Sequence, residues 1–189
     1  MCRIVLLVLA ICCTLLFSAA VDTKSLVDHL EDVIDNFDQV VGISFEYEGE
    51  KVENGHSMLS EQVANAPTVK LTGVQSSALY TLVMVDPDHP GPMHPINREW
   101  VHWIVTDIPG GNISRGKEIL SYDSPKPVFH IHRYIIIVFK QTSKDISDEI
   151  KKRPNFHVKE FAMKHRMDPV GALFFYLHSP AREDVRAEL

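Results

Sequence analysis

The sequence predicts a mainly β, single-domain protein, and three observations lead to this prediction. Its 189 residues suit one domain and leave little room for two. Eleven prolines and nine glycines disfavour a helical bundle and favour a turn-rich fold. Short apolar runs, several rich in β-branched residues, are separated by clusters of proline, glycine and asparagine. With 45% hydrophobic and 23% charged residues, a disordered chain, a collagen and a coiled coil are excluded.

The elements are predicted from hydrophobic periodicity along the chain. Apolar side chains recur every three or four residues over 22–37, which is typical of an amphipathic helix. Residues 41–47 alternate between apolar and polar, as a half-buried strand does. Residues 80–85 are apolar on both faces, which predicts a central strand. The same arguments predict two further strands, a second helix and a short apolar segment, at 101–106, 134–139, 156–167 and 170–177.

The first twenty residues predict a secretory signal peptide. Arg3 precedes an apolar run that ends at Phe17, and Ser18-Ala19-Ala20 follows as a small-residue cleavage site. Cleavage after Ala20 would leave a secreted domain of residues 21–189. An uncleaved membrane anchor is the alternative, because the uncharged stretch reaches the lower length limit of a spanning helix.

The three cysteines of the chain all lie inside the predicted signal peptide, at Cys2, Cys12 and Cys13. The mature protein is therefore expected to contain no disulfide and no thiol nucleophile. Cleavage also removes Arg3, which leaves 18 of the 19 basic residues against 25 acidic ones and changes the net charge from −6 to −7. This acidic balance gives no support for nucleic acid as a partner.

Chemically versatile side chains concentrate in three segments at the ends of predicted strands, namely 86–90, 98–103 and 130–134. Alternation along a strand places His132 and Tyr134 on one face, and it places Trp100 and His102 together on another. If these strand ends meet, the imidazoles and the phenol can donate hydrogen bonds to an anionic oxygen. Each segment also has an ordinary structural explanation, because Asp-Pro-Asp favours turns and strand histidines are commonly core residues.

The three segments, together with Val138-Phe139-Lys140-Gln141, resemble the phosphatidylethanolamine-binding protein family in order and spacing, over about residues 43–177. That family also includes the Raf-kinase-inhibitor-like proteins. The resemblance implies a Greek-key β-sandwich with a few peripheral helices and a small pocket for phosphate-bearing head groups. Trp100 would form an apolar wall, and the loop 124–127 would supply the rim and backbone donors. The implied ligand-binding residues are Asp86, Asp88, Trp100, His102, Pro125, Pro127, His132 and Tyr134.

The sequence departs from the family pattern at several positions. His130 stands where the family has a glycine, and His89 stands where a small residue follows Asp-Pro-Asp. The loop before His132 is shorter than in mammalian members, and no closing C-terminal helix follows before Leu189. These departures predict a more open pocket that is richer in imidazole.

Three other functions are weighed against this one. A zinc or copper site is conceivable because imidazoles are abundant, but no helical His-x-x-x-His pattern supports it. Its candidate ligands are His89, His94, His102, His130 and His132. An enzyme could use Asp/His acid–base chemistry, yet no Gly-x-Ser-x-Gly elbow or mature cysteine offers a nucleophile. We therefore expect neither catalysis nor a cofactor. A protein target in a protease or kinase pathway, as an inhibitor or signalling modulator, is the remaining alternative.

Two surface features complete the predictions. Asn112-Ile113-Ser114 is a sequon, so Asn112 is expected to carry a glycan in a secreted protein. A basic cluster around 151–153 is either a solvated face or a contact with anionic membrane lipid. The predicted function is that of a secreted, non-catalytic protein that binds a phospholipid head group or another small phosphorylated ligand.

Overall fold

The computed structural model describes residues 23–179, so the predicted signal peptide and the C-terminal residues 180–189 lie outside the described residues. The described part contains two helices, nine strands and one short 3-10 turn. Their bounds are α1 Thr23–Leu30, β1 Gly42–Tyr47, β2 Glu50–Val52, β3 His56–Met58, β4 Thr68–Thr72, β5 Leu79–Asp86, β6 Trp100–Pro109, the 3-10 turn Ile113–Arg115, β7 Lys117–Leu120, β8 Ile131–Lys140, α2 Val158–Lys164 and β9 Asp168–His178.

The strands form two sheets, which confirms the predicted mainly β sandwich with few helices. The smaller sheet has the order β2-β1-β4, and the larger has the order β3-β9-β8-β5-β6-β7. Neighbouring strands are antiparallel except for the pair β3 and β9, which is parallel. Strands β5 and β8 lie at the centre of the large sheet, although a long stretch of chain separates them.

The large sheet carries an apolar layer on each face, and this explains the doubly apolar pattern of its central strands. On the inner face, Met84 and Ile136 pack with Phe45 of the small sheet. On the outer face, Val83 and Ile135 pack with residues of α1 and α2. The prediction of a central strand over 80–85 is confirmed, because residues facing both ways along β5 are buried.

The predicted helices are longer than those observed. The first ends at Leu30 rather than at residue 37, because the amides of Val33 and Ile34 both donate to the Leu30 carbonyl in a closing turn. Val33 and Ile34 are nevertheless buried, so the apolar stripe reflects burial of a turn and not a longer helix. The second helix likewise occupies only Val158–Lys164, and the segment predicted at 170–177 is strand β9.

The C-terminal end of β5 and the N-terminal ends of β6 and β8 lie side by side at one end of the large sheet. The register of β5 and β6 pairs Asp86 with Trp100, and that of β5 and β8 pairs Val85 with Ile135. Tyr134 belongs to the inner apolar layer, so the face it shares with His132 points between the two sheets. Among residues 23–179, no helix combines the length and apolarity needed to cross a membrane.

Candidate functional site

A buried ion pair between Asp86 and His132 lies at the centre of the candidate site. Oδ2 of Asp86 and Nδ1 of His132 are 2.7 Å apart, and Nε2 of His132 donates to the Phe129 carbonyl at 3.0 Å. Burial by itself would lower the pKa of His132, but the hydrogen bond with Asp86 and the Asp86 charge outweigh it and raise the pKa above its ordinary value. His132 is therefore held as an imidazolium whose two N–H groups are already used.

His102 is buried and electrically neutral. Its Nδ1 donates to the Asp123 carbonyl at 2.7 Å, because a carbonyl oxygen can only accept. Burial lowers the pKa of His102, while the hydrogen bond to Asp123 and the charge of Asp86 oppose this only in part. In the neutral ring Nε2 is consequently an acceptor, and this buried atom has no hydrogen-bond partner among the described residues.

The hydroxyl of Tyr134 is the second buried polar atom of the described chain that lacks a hydrogen-bond partner. Its ring meets the ring of His102 edge-on, with centroids 5.2 Å apart, and stacks on Phe175 at 5.4 Å. Burial raises the pKa of Tyr134 far above its ordinary value, and the Asp86 carboxylate, which lies near the hydroxyl but outside hydrogen-bond geometry, raises it further, so the hydroxyl stays protonated. Buried polar atoms normally have a partner, and this adjacent pair is therefore suited to a ligand's polar group.

Aromatic residues and the loop before β8 enclose this pair. Trp100 stacks on His89 with ring centroids 4.3 Å apart, and its Nε1 donates to Oδ2 of Asp123 at 3.3 Å. Pro125 and Pro127 are buried within the loop 121–130. That loop offers the carbonyls of Asp123 and Phe129 to the N–H groups of the two imidazoles. The backbone donors expected from residues 124–127 stay a prediction.

The Asp88 carboxylate is buried beside the site, where its charge helps to raise the pKa of His132, but its hydrogen bonds go to Arg133. Its Oδ2 accepts from the backbone and Nε of Arg133, each at 2.9 Å, and its Oδ1 accepts from Nη2 of Arg133 at 2.7 Å. Arg133 also binds Asp32, on the face opposite His132, where strand alternation placed it. The Asp88 amide donates to Asp86 at 2.8 Å, so Asp88 helps to fix the turn that presents Asp86.

The central side chains of the site are buried. The side chains of Asp86 and His132 are 1% and 0% exposed, and Tyr134 is 0% exposed. The loops 87–99 and 121–130 join these strands, and the more open pocket stays a prediction. His94 and His130 are exposed on those loops. No group of three or more metal-ligating side chains lies close enough to hold an ion within 23–179.

Three groups that shape the site were not predicted from the sequence. Asp123 and Phe129 act through main-chain carbonyls, for which the sequence carries no signal. The sequence marks His89 as a departure from the family pattern, but its stacking on Trp100 was not predicted. The sequence signal for this contact is that His89 directly follows Asp86-Pro87-Asp88 and that an aromatic residue, Trp100, begins the strand paired with β5. Within the basic cluster, Arg153 binds the carbonyls of Val101 and His102.

Comparison with known proteins gives a consistent result. Residues 43–175 match the sequence profile of the family described as phosphatidylethanolamine-binding protein. CEN-like protein 1 of Nicotiana tabacum is 41% identical over 147 residues, which cover 76% of this chain and 84% of that protein. Protein CENTRORADIALIS-like of Arabidopsis thaliana is 43% identical over 148 residues, which cover 76% and 85%. A chain from the crystal structure of carboxypeptidase Y inhibitor complexed with the cognate proteinase shares the fold, with a TM-score of 0.75, 24% identity and coverage of 85% of this chain and 98% of that one.

Proposed function

Because the chain belongs to the phosphatidylethanolamine-binding protein family, we propose that it binds phosphate-bearing or other anionic head groups, including those of phospholipids, without catalysis. The observation that supports this proposal most directly is the adjacent pair of unpartnered buried atoms, Nε2 of His102 and the hydroxyl of Tyr134. An anionic oxygen between them would accept from Tyr134 and, once His102 takes up a proton, from His102 as well.

The imidazolium of His132 contributes electrostatically. Its N–H groups are used by Asp86 and Phe129, so it offers charge rather than a free donor. The carboxylate of Asp86 offsets that charge, so a ligand anion would gain mainly from the two unpartnered groups. The raised pKa of Tyr134 makes its hydroxyl a hydrogen-bond donor and a poor nucleophile, which supports binding rather than catalysis.

Tyr134→Phe is the sharpest test, because it removes one hydroxyl that has no partner in the protein. Hydrogen bonds to charged groups contribute about 1.5–3 kcal/mol, so affinity for phosphorylethanolamine should fall roughly 10- to 100-fold. Stability should not fall, since the variant buries one unsatisfied polar group fewer. Calorimetric titration measures the affinity, and a urea unfolding curve measures the stability.

Tyr80→Phe is the matched control in the neighbouring strand β5. The Tyr80 hydroxyl accepts from the Gln75 amide at 2.8 Å, so its loss should lower stability and leave phosphorylethanolamine affinity unchanged. If Tyr134→Phe binds as tightly as the wild-type protein, the proposed ligand contact is wrong. If both variants lose affinity equally, the loss reflects packing and not a ligand contact.

We further propose that residues 1–20 direct secretion and that Asn112 carries a glycan. Asn112 is exposed at the start of the 3-10 turn, where an oligosaccharide has room. The Ser114 hydroxyl donates to Oδ1 of Asn112 at 2.8 Å, which orients the side-chain amide of the sequon. The support for secretion itself is the order of charge, apolar run and small residues at the N-terminus.

Regulation of a protein target is the second candidate function. Its motivation is the carboxypeptidase Y inhibitor that shares this fold, although 24% identity supports the fold alone. An inhibition assay with carboxypeptidase Y tests it directly. Inhibition that is unchanged in Tyr134→Phe would favour a protein-binding surface separate from the pocket, whereas no inhibition at saturating protein would reject this target.

A further inference from the structure

Exposed apolar side chains are concentrated on the two loops that cover the candidate site. Among the described residues eight large apolar side chains are exposed, and five of them lie in the segments 89–97 and 124–131. We name these five the apolar collar, and its members and their exposures are Met93 76%, Ile96 75%, Val128 51%, Phe129 47% and Ile131 45%. Single exposed apolar residues are ordinary, but a cluster of this kind marks an interaction surface.

The two segments form one continuous surface. Met93, Ile96 and Phe129 line a common groove, with Gly91 at its floor. Gly91 lies so close to the Phe129 side chain that an added Cβ would be 3.2 Å from the Cβ of Phe129. The collar therefore belongs to one packed feature rather than to two unrelated loops.

The collar is joined to the pocket by direct contacts. The carbonyl of Phe129 accepts from His132 at 3.0 Å, so the main chain beneath one collar residue forms part of the site. His89 begins the other segment, and it stacks on Trp100 at the wall of the site. The collar therefore adjoins the candidate site on both segments, through Phe129 and through His89.

The charge distribution indicates what covers it. The protein has a net charge of −6, yet segments 89–97 and 124–131 contain no aspartate or glutamate and include Lys126. A surface of apolar side chains without carboxylates can approach the phosphate layer of a membrane, while the acidic remainder of the protein is held away from it.

From these observations we propose that the apolar collar inserts into the interfacial region of a phospholipid bilayer and holds the pocket entrance at the level of the head groups. Apolar side chains of peripheral proteins bury at this depth without spanning the membrane. The inference deepens the proposed function and rests on it, because it supplies the orientation in which a head group still anchored in a bilayer would reach His102 and Tyr134.

The test compares two double variants in vesicle co-sedimentation. Met93→Ser with Ile96→Ser removes the two most exposed collar residues, and Met163→Ser with Leu59→Ser is the matched control. Met163 is as exposed as Met93, at 76% each, and Leu59 is 63% exposed, but neither lies in the collar. The vesicles are phosphatidylcholine alone and phosphatidylcholine mixed with an equal part of phosphatidylserine.

Wild-type and control proteins should bind at least one vesicle type, and the collar variant should bind it roughly 10- to 100-fold more weakly, since two apolar side chains lose their burial. Absence of wild-type binding to both vesicle types, or equal binding of the collar variant and the control, would overturn the inference. Circular dichroism and melting curves establish that both variants are folded.

Titration with soluble phosphorylethanolamine separates this inference from the proposed function. The collar variant should keep wild-type affinity for that soluble ligand, because Met93 and Ile96 contribute no group to the site. Vesicle binding that depends on Met93 and Ile96 without any affinity for phosphorylethanolamine would overturn the proposed function alone. Normal affinity for phosphorylethanolamine without collar-dependent vesicle binding would overturn this inference alone.

Discussion

At the residue scale, the two buried histidines of the site differ in protonation state, because His132 is an imidazolium and His102 is neutral. Nδ1 of His132 faces a carboxylate and Nε2 faces a carbonyl, so its ring is doubly protonated. His102 faces one carbonyl and has a free Nε2, and its pKa is lowered by burial. The sequence predicted that both would donate to an anion, but only a newly protonated His102 has a donor left to offer.

Binding of an anion should therefore be coupled to proton uptake by His102. Its ordinary pKa is 6.5 and the folded value is lower, so the ring is neutral at pH 7 and gains a proton only when the ligand's charge favours it. Asp86 and Asp123 favour that proton, and Arg153 opposes it. Affinity should fall by up to about tenfold per pH unit above neutrality. Calorimetry in two buffers of different ionisation enthalpy measures the uptake.

His102→Gln is the control for this coupling, because glutamine cannot take up the proton. The variant should bind phosphorylethanolamine with no dependence on the buffer. Buffer-independent binding by the wild-type protein would contradict the prediction, and it would mean that the ligand brings its own donor to Nε2 of His102.

His132→Ala should impair folding, contrary to what an accessible rim histidine would do. The substitution leaves the Asp86 carboxylate buried without its partner, a change that costs about 3–5 kcal/mol. Because the folded pKa of His132 is raised above 6.5, the stabilisation is complete below pH 6.5 and is lost as the pH rises through the folded value. Chemical unfolding at several pH values measures it.

A double variant distinguishes this electrostatic cost from a loss of packing. Asp86→Asn removes the charge that His132→Ala leaves buried without a partner. The double variant should therefore lose less stability than the two single variants lose in sum. Additive losses would reject the ion pair as the cause.

At the scale of elements, Glu99, which directly precedes strand β6, fixes the start of α2, far away in the sequence. Its Oε2 accepts from the Val158 amide at 3.0 Å, and its backbone exchanges hydrogen bonds with Phe156 in both directions. Glu99 is 6% exposed, and burial raises its pKa to about 7, although the hydrogen bond from Val158 opposes the rise. The carboxyl group therefore accepts a hydrogen bond from a helix-terminal N–H, and its burial there makes it harder to ionise.

Glu99→Gln should change how stability depends on pH. Between pH 4.5 and about 7 the unfolded wild-type chain releases the Glu99 proton while the folded protein keeps it, so stability falls by about 3 kcal/mol across this window. Glutamine keeps an acceptor for Val158 and has no proton to release. The stability of the variant relative to wild type should rise by that amount from pH 4.5 to pH 7, as measured by urea unfolding.

Glu61→Gln, at an exposed position, controls for the change in net charge. A constant difference between Glu99→Gln and wild type across the window would contradict the raised pKa of Glu99.

How well an element could be predicted from the sequence depends on its burial. Strands β5 and β8 are buried on both faces, and their continuous apolar runs were recognised. The short strands β2 and β7 are half exposed, and three or four residues do not establish a period. At the site, too, some features were predictable and others were not. The convergence of the Asp86, His132 and Tyr134 side chains was predicted. The carbonyls of the covering loop could not be predicted, because every residue has a main-chain carbonyl and the residue type does not show where it points.

At the scale of the whole molecule, secretion predicts a protein without thiols. Cys2, Cys12 and Cys13 precede the predicted cleavage site after Ala20, so the secreted form should gain no mass on alkylation. Treatment with an N-glycosidase should lower its mass, and Asn112→Gln should abolish that change. Intact-mass spectrometry of protein from a eukaryotic secretory host measures both. A mass gain on alkylation would mean that the first thirteen residues are retained.

The double burial of β5 and β8 also determines where the backbone is slowest to exchange hydrogen with solvent. Each strand is hydrogen-bonded on both edges and lies between two apolar layers, so no local opening exposes its amides. Such amides exchange only when the domain unfolds globally, whereas an edge strand such as β7 exchanges by fraying. In deuterium-exchange mass spectrometry, peptides of β5 and β8 should be the last to label. Their exchange rate, converted to a free energy, should then equal the free energy of unfolding measured with urea, so two strands report the stability of the entire domain.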